Sequence, residues 1–120
     1  MLEVFTEDRL NKIINDYLSK LKGKITIDKA ILFGSYAKGT ATELSDIDFL
    51  IISKDLPEDK PKGANGFYLD TLVGAFNPSL EVIAIHPNKL NHPVTKSFFD
   101  EIINTGKVIF PKDSISEKAA

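Results

Sequence analysis

Two aspartates, Asp46 and Asp48, are separated by a single residue, Ile47, at the start of the mostly apolar segment 46–52. Side chains alternate between the faces of a β-strand, so both carboxylates point to one face, with Cβ atoms about 6 to 7 Å apart. Neighbouring anions repel unless a cation lies between them, and Mg²⁺ is a hard cation that prefers such oxygen ligands. The alternative is the solvated end of a strand at the rim of a sheet. The Asp-X-Asp pair alone leaves both interpretations open.

A second candidate feature is Gly34-Ser35, which directly follows the apolar run 30–33 and precedes a turn of small residues. Backbone N–H groups in such a turn can bind phosphate oxygens. Glycine lets a phosphate approach closely, and the serine hydroxyl adds a donor. A turn glycine with a purely structural role is the alternative. Together with the acidic pair, however, this turn favours a site for a metal and a phosphorylated ligand.

Four apolar runs predict the strands that carry these residues. The runs are 30–33, 46–52, 80–85 and 108–110. The first is apolar throughout and predicts a central strand covered on both faces, whereas the last is short, precedes Pro111 and predicts an edge strand.

Helical spacing of apolar residues predicts a helix over residues 7–22, with Thr6 as its N-cap. A second helix begins at Pro93 and ends at Gly106; its inward side chains are predicted to be Val94, Phe98, Phe99, Ile102 and Ile103. Residues 67–73 predict one or two further helical turns. Interleaved helices and strands predict an α/β fold: a single domain with a mixed sheet of about four strands and helices packed on one face. The other face is left for the site.

Composition narrows the class of protein. With 120 residues, 42% of them hydrophobic and 27% charged, the chain is expected to fold as one domain over residues 1–111, with a flexible tail at 112–120. The absence of cysteine excludes disulfides and thiolate metal sites, so a metal would need oxygen or imidazole ligands. A net charge of -2 argues against a strongly basic nucleic-acid surface. No apolar run has the length of a membrane span or follows the pattern of a secretory signal, so a cytoplasmic location is expected.

The number of residues between the two motifs is also informative. Gly34-Ser35, ten intervening residues and Asp46-Ile47-Asp48 match the pattern GSX10DXD, which resembles the signature of the DNA polymerase β-like nucleotidyltransferase superfamily. The short chain and the run GSYAKGTATELSDIDFLI are similar to the minimal nucleotidyltransferases, the antitoxin half of HEPN/MNT toxin–antitoxin modules.

This resemblance implies an enzyme that transfers AMP from ATP to an acceptor hydroxyl with the help of two Mg²⁺ ions. It implies that Asp46 and Asp48 bind both ions and that Gly34 and Ser35 hold the β- and γ-phosphates. Lys38 is a further candidate for a phosphate contact, although a solvated lysine fits equally well. The implied acceptor is a tyrosine of a cognate, all-helical HEPN toxin, which this chain would neutralise as the antitoxin.

Glu81 is the point at which the chain departs from that family. The family places a third carboxylate, usually Asp, at the start of a short apolar run on a neighbouring strand, and here Glu81 occupies that place. Glutamate reaches about one methylene further, and Mg²⁺ tolerates misplaced ligands badly. Glu81 is therefore either the ligand of the acceptor-side metal or a rim glutamate of an edge strand. The second interpretation favours an alternative function, in which a weak or inactive nucleotidyltransferase fold neutralises its partner by binding.

The remaining candidates are weaker. His86 and His92 each adjoin a proline, where a capping or partly exposed histidine is ordinary. Tyr36, Phe67 and Tyr68 could stack on a base but are expected in the core instead. An antibiotic-modifying nucleotidyltransferase has a similar motif but needs a second, substrate-binding domain, for which 120 residues leave no room.

Overall fold

A computed structural model of the chain describes residues 4–58, 60, 64–74 and 77–111. The helices are α1 (Glu7–Leu21), α2 (Ser35–Lys38), α3 (Ala64–Val73) and α4 (Lys96–Thr105), with a 3₁₀ turn at Pro87–Asn91. The strands are β1 (Lys29–Phe33), β2 (Ile47–Ile52), β3 (Leu80–Ile85) and β4 (Lys107–Phe110). The tail expected at 112–120 lies outside the described residues. None of the helices described is long and apolar enough to cross a membrane.

The strands form one four-stranded sheet in the order β3-β2-β1-β4. β1 runs antiparallel to both β2 and β4, whereas β2 and β3 are parallel. The predicted mixed sheet is therefore confirmed, with β1 in its centre and β4 at its edge. β1 and β2 have neighbours on both sides, and both strands are buried almost throughout.

The helices are divided between the two faces of this sheet, which differs from the expected packing on one face. Side chains of α1 and α3, among them Ile14 and Leu69, pack in one cluster with Phe49 of β2. Phe99 and Ile102 of α4 pack in a second cluster with Leu50 and other residues of the opposite face. The physical reason lies in the central strands, whose alternate side chains are apolar on both faces, so that both faces need a cover.

α1 begins and ends as the sequence predicts to within a residue. The Thr6 hydroxyl accepts a hydrogen bond from the Arg9 N–H at 3.2 Å, and the chain leaves the helix through Gly23 with a φ of +84°. The helix is joined to α3 by the Tyr17 hydroxyl, which donates to Asp70 at 2.9 Å. Burial and this hydrogen bond raise the pKa of Tyr17.

α4 begins later than predicted. Its first residue is Lys96, because the 3₁₀ turn runs to Asn91 and two backbone hydrogen bonds to the His92 carbonyl, from Thr95 and Lys96, form the helix start. The prediction that Val94 faces inward is wrong, since Val94 lies before the helix and is 81% exposed. Phe99 and Ile102 are buried as predicted, whereas Phe98 and Ile103 are partly exposed.

Candidate functional site

Strand register brings the predicted carboxylates together at one end of the strands β2 and β3. Asp48, the second residue of β2, pairs with Phe33 of β1 on one side and with Glu81 of β3 on the other. Side chains of residues paired in register lie on the same face and close together. Asp46 precedes β2 by one residue and stands two residues from Asp48, so alternation places it on that face too. The three acidic residues predicted from the sequence are therefore neighbours, on the sheet face that carries α4.

The crowding of the three carboxylates affects the pKa of Asp48. Burial, together with the neighbouring Glu81 and Asp46 carboxylates, raises its pKa to about 6. Asp48 is half-buried, whereas Asp46 and Glu81 are exposed. The cluster therefore concentrates negative charge around one partly desolvated carboxylate, and a cation bound there would relieve the repulsion.

Gly34 meets the Asp48 carboxylate directly. β1 ends at Phe33, the register partner of Asp48, so the next residue passes over the aspartate side chain. A Cβ at position 34 would collide with Asp48 Oδ2 and lie 3.1 Å from its Cγ. Gly34 also has a φ of +75° and a ψ of -154°, a conformation open essentially to glycine alone. The glycine is thus a structural turn residue and a neighbour of the acidic cluster at once.

Ser35 and Lys38 belong to α2, the single helical turn that follows. Ser35 is its first residue and is half-buried, and its carbonyl accepts a hydrogen bond from the Thr40 N–H at 3.0 Å. Lys38 is the last residue of α2 and is exposed. Gly39 closes the turn with a φ of +75°, in the left-handed region. The turn therefore begins directly after Gly34, the residue that lies against Asp48, and Lys38 is at its far end.

The acidic residues fit a magnesium ion that is held jointly with a substrate. Within the described ranges, no three Asp, Glu or His side chains converge into a ready-made metal cage. Mg²⁺ usually binds one or two protein carboxylates and completes its octahedron with substrate phosphates and water. Asp46 and Asp48 offer such an incomplete set of hard oxygen ligands, and Glu81 stands beside them.

The histidines have structural surroundings. His86 Nδ1 accepts the Asn88 N–H at 3.0 Å, and His92 Nδ1 accepts the Val94 N–H at 3.2 Å. Both histidines cap local turns, which is the structural role that the sequence predicts beside a proline.

The aromatic residues divide differently from the prediction. Tyr36 is buried, and its hydroxyl accepts the Phe5 N–H at 3.2 Å. The prediction of a core position is wrong for Phe67 and Tyr68, which are 72% and 46% exposed. Both lie on α3, whose inner face is made by Asn65, Gly66 and Leu69.

A cavity of about 330 Å³ lies on the carboxylate-bearing face and is absent from the sequence-based prediction. It is enclosed by β3, the 3₁₀ turn, α4 and the residues Pro57, Glu58, Lys60 and Asn65, with Ile83, Ile85 and Phe98 among its walls. Finding it requires the position of α4, because a helix placed on the other face would leave no cleft here. The sequence gives one indication of this cavity, the apolar residues around the start of α4. Their helical spacing, however, predicts that they lie in the core and not around a cavity.

Comparison with known proteins identifies the family. The sequence profile described as "Polymerase beta, Nucleotidyltransferase" matches residues 12–115. The chain belongs to this nucleotidyltransferase family. It is accordingly a nucleotidyltransferase, an enzyme class that acts on nucleoside triphosphates and generally requires a divalent cation.

Two relatives and one solved structure illustrate the likeness. A Methanocaldococcus jannaschii protein named "putative protein adenylyltransferase" is 34% identical over 113 residues, which are 90% of this chain and 76% of that protein. A Thermococcus cleftensis protein named protein adenylyltransferase MntA is 24% identical over 102 residues, 85% of this chain and 98% of the relative. A crystal structure described as a "putative nucleotidyltransferase" from Sulfolobus solfataricus superposes with a TM-score of 0.63 and 17% identity over 89% of this chain and 85% of that one. The last likeness supports the fold.

Proposed function

We propose that this nucleotidyltransferase is a magnesium-dependent protein adenylyltransferase, which transfers AMP from ATP to a tyrosine hydroxyl of an all-helical HEPN-type partner and thereby acts as its antitoxin. The observation that carries the proposal is the register that sets Phe33, Asp48 and Glu81 side by side across three strands, with Gly34 directly after Phe33 and against the Asp48 carboxylate. The protein substrate is supported by relatives whose names describe them as protein adenylyltransferases.

We assign roles to the residues by their positions in the sheet and by the resemblance to the family. The turn of Gly34 and Ser35 offers backbone N–H groups and a hydroxyl to the β- and γ-phosphates. Asp46 and Asp48 would hold Mg²⁺ beside the triphosphate, and Glu81 would serve the acceptor side. Lys38 is exposed and at most adds charge near the terminal phosphate. When bound, the metal supplies charge neutralisation of the phosphates and lowers the pKa of the acceptor hydroxyl.

The reaction is an in-line displacement at the α-phosphorus. The bond between the acceptor oxygen and the α-phosphorus forms while the bond between that phosphorus and the oxygen bridging to the β-phosphate breaks. The products are the adenylylated hydroxyl, pyrophosphate and the released hydroxyl proton. The chain's contribution is to orient attacking and leaving oxygens on opposite sides of the α-phosphorus, which suits a turn on the β1 side and Glu81 on the β3 side of Asp48.

A second candidate function is neutralisation of the partner by binding alone, with a weak catalytic site. It is favoured by Glu81, which is exposed and extends the acidic cluster without closing it into a three-ligand cage among the described residues. Under this hypothesis the nucleotide side of the site is kept, whereas the acceptor side is idle.

The test is transfer of label from ATP carrying ³²P at its α-phosphorus. The purified chain is incubated with Mg²⁺ and with a candidate all-helical HEPN-type protein, sought first in the reading frames beside its own gene, and labelled protein and released pyrophosphate are both measured. Label on a partner tyrosine, lost when that tyrosine is replaced by Phe and when Asp48 is replaced by Asn, is the expected result. A stable complex of the two proteins without label or pyrophosphate would support the second candidate and refute the first.

A further inference from the structure

The cavity beside the acidic cluster has a distinct chemical character. Its volume is about 330 Å³, within the range of small-molecule sites. Its apolar walls are formed by Ile83 and Ile85 of β3 and by Phe98 and Phe99 of α4, and the charged residues Glu58, Lys60 and Lys89 line it as well. Val94 stands at the cavity before α4 begins and is 81% exposed, while Phe98 is 43% exposed. Apolar side chains left uncovered around a concavity favour an apolar or aromatic occupant.

The cavity continues the row of side chains to which Glu81 belongs. Glu81, Ile83 and Ile85 alternate along β3 and share one face, so Glu81 is about 7 Å from Ile83 along the strand. The opposite wall also approaches the acidic cluster. The Phe98 ring lies 6.5 Å, centroid to centroid, from Phe33, the register partner of Asp48.

The strand order decides which substrate this cavity faces. Gly34 and its turn follow β1, Asp48 lies on β2, and Glu81 with the cavity lies on β3, the three strands being consecutive in the sheet. In an in-line displacement, the attacking oxygen and the departing pyrophosphate must lie on opposite sides of the phosphorus. If the terminal phosphates occupy the β1 side, the acceptor must approach from the β3 side.

We infer that the cavity between β3 and α4 is the acceptor subsite and holds the aromatic ring of the tyrosine that is modified. The inference rests on the proposed function for the position of the triphosphate. The ring packs between Ile83 and Phe98, with its hydroxyl at the Glu81 end. A serine or threonine acceptor would leave these apolar walls uncovered, so the cavity also sets the preference for a phenolic hydroxyl.

The first experiment is a titration of the full chain, with isoleucine and valine methyl groups and the backbone amides labelled for NMR. The probes are N-acetyl-tyrosinamide, N-acetyl-serinamide, and a non-hydrolysable ATP analogue with Mg²⁺. We expect tyrosinamide to shift the methyl signals of Ile83, Ile85 and Val94, serinamide to leave them in place, and the nucleotide to shift the amide signals of Gly34 and Ser35. If the nucleotide shifts the Ile83 and Ile85 methyls, the cavity is a base pocket and the inference is overturned. It is also overturned if tyrosinamide shifts nothing up to its solubility limit.

The second experiment narrows the cavity at one position. Val94→Trp places a bulky ring at the exposed edge of the cavity, and Ile103→Trp is the matched control, which places the same ring on an exposed residue of α4 that does not line the cavity. We expect Val94→Trp to raise the KM for tyrosinamide adenylylation about tenfold while Mg·ATP affinity stays within about twofold, and Ile103→Trp to change neither quantity beyond about twofold. Equal KM values for Val94→Trp and the wild type would overturn the inference.

The two proposals fail in different ways. Tyrosinamide shifts without any nucleotide shift would refute the adenylyltransferase function and leave an aromatic-binding cavity. Nucleotide shifts at Gly34 and Ser35 without tyrosinamide shifts would leave that function standing and refute the acceptor subsite.

Discussion

The two sides of the acidic cluster are built in different ways. On the β1 side, a side chain at position 34 would collide with the Asp48 carboxylate, and Phe33, the residue before Gly34, pairs with Asp48 in antiparallel register. On the β3 side, Glu81 is exposed and is followed by a cavity with room to spare. The difference suits a transferase in which one substrate is a constant triphosphate and the other is a protein segment. Under the proposed function, the tightly constrained geometry lies on the triphosphate side and the looser geometry on the acceptor side.

Asp48→Asn tests the centre of this comparison and should have the largest effect. The substitution keeps the shape of the side chain but removes the charge that, in the proposed function, would hold Mg²⁺ beside the triphosphate, so we expect adenylyl transfer to fall by a factor of about a thousand or more. The measurement is the rate of label transfer at saturating Mg²⁺, with the melting temperature as a control for folding. A large fall in the melting temperature of the metal-free variant would mean that Asp48 is a structural residue instead.

Glu81 variants test whether the β3 side of the acidic cluster takes part in catalysis. We expect Glu81→Ala to bind Mg·ATP nearly as well as the wild type, because Asp46 and Asp48 remain, yet to lose transfer by about a hundredfold or more. Glu81→Asp is the matched variant and should retain or raise activity, since it supplies the residue type usual in the family. Calorimetry measures binding and label transfer measures turnover. Wild-type rates in Glu81→Ala would remove Glu81 from the site.

Gly34→Ala should harm both folding and function, for which Gly39→Ala provides a matched control. Both glycines have a φ of +75°, but a methyl group added at position 34 would meet Asp48, whereas one added at position 39 would have no neighbour within 4 Å among the described residues. We expect Gly39→Ala to lose about 1 kcal/mol of unfolding free energy from strain, and Gly34→Ala to lose about 2 to 3 kcal/mol and most of its activity. Urea unfolding measures the first quantity. Equal losses in the two variants would show that Asp48 yields to the added methyl group.

The pH dependence of stability should show the smallest effect. The pKa of Asp48 is raised to about 6 in the folded protein, so the native state binds its proton more tightly than the unfolded chain does. The metal-free protein should therefore lose stability as pH rises from about 4 to about 6, by about 1 kcal/mol after allowance for solvent screening. Asp48→Asn should abolish this part of the profile. The measurement is urea unfolding in EDTA at several pH values, and parallel profiles for the two proteins would contradict the assignment.

The strict side of the site can be predicted from the sequence, and the looser side only in part. The pattern of Gly34-Ser35 and Asp46-Ile47-Asp48 uses local alternation and a short connection, which constrain the geometry of antiparallel neighbours strongly. The neighbouring position of Glu81 follows from resemblance alone, because nothing local shows that β3 pairs with β2 in parallel.

The cavity cannot be predicted, for a reason that lies in the central strands. Ile31 and Leu50 on one face are as apolar as Leu32 and Phe49 on the other, so the pattern does not say which helix covers which face. Val94 fits the spacing of a helix that in fact begins two residues later. Residue type alone predicts a core position for Phe67, although α3 turns it outwards.

The contact between Gly34 and Asp48 has a consequence for how this sequence can diverge. Because the carboxylate occupies the space of a side chain at position 34, the two positions are not free to mutate independently. A lineage that abandoned catalysis and replaced Asp48 by a smaller residue would release the steric part of the constraint on position 34. Glycine would then persist there only through its backbone conformation, as it does at Gly39. Whether the effect of a substitution at position 34 depends on the residue at position 48 therefore indicates whether a relative still needs the carboxylate.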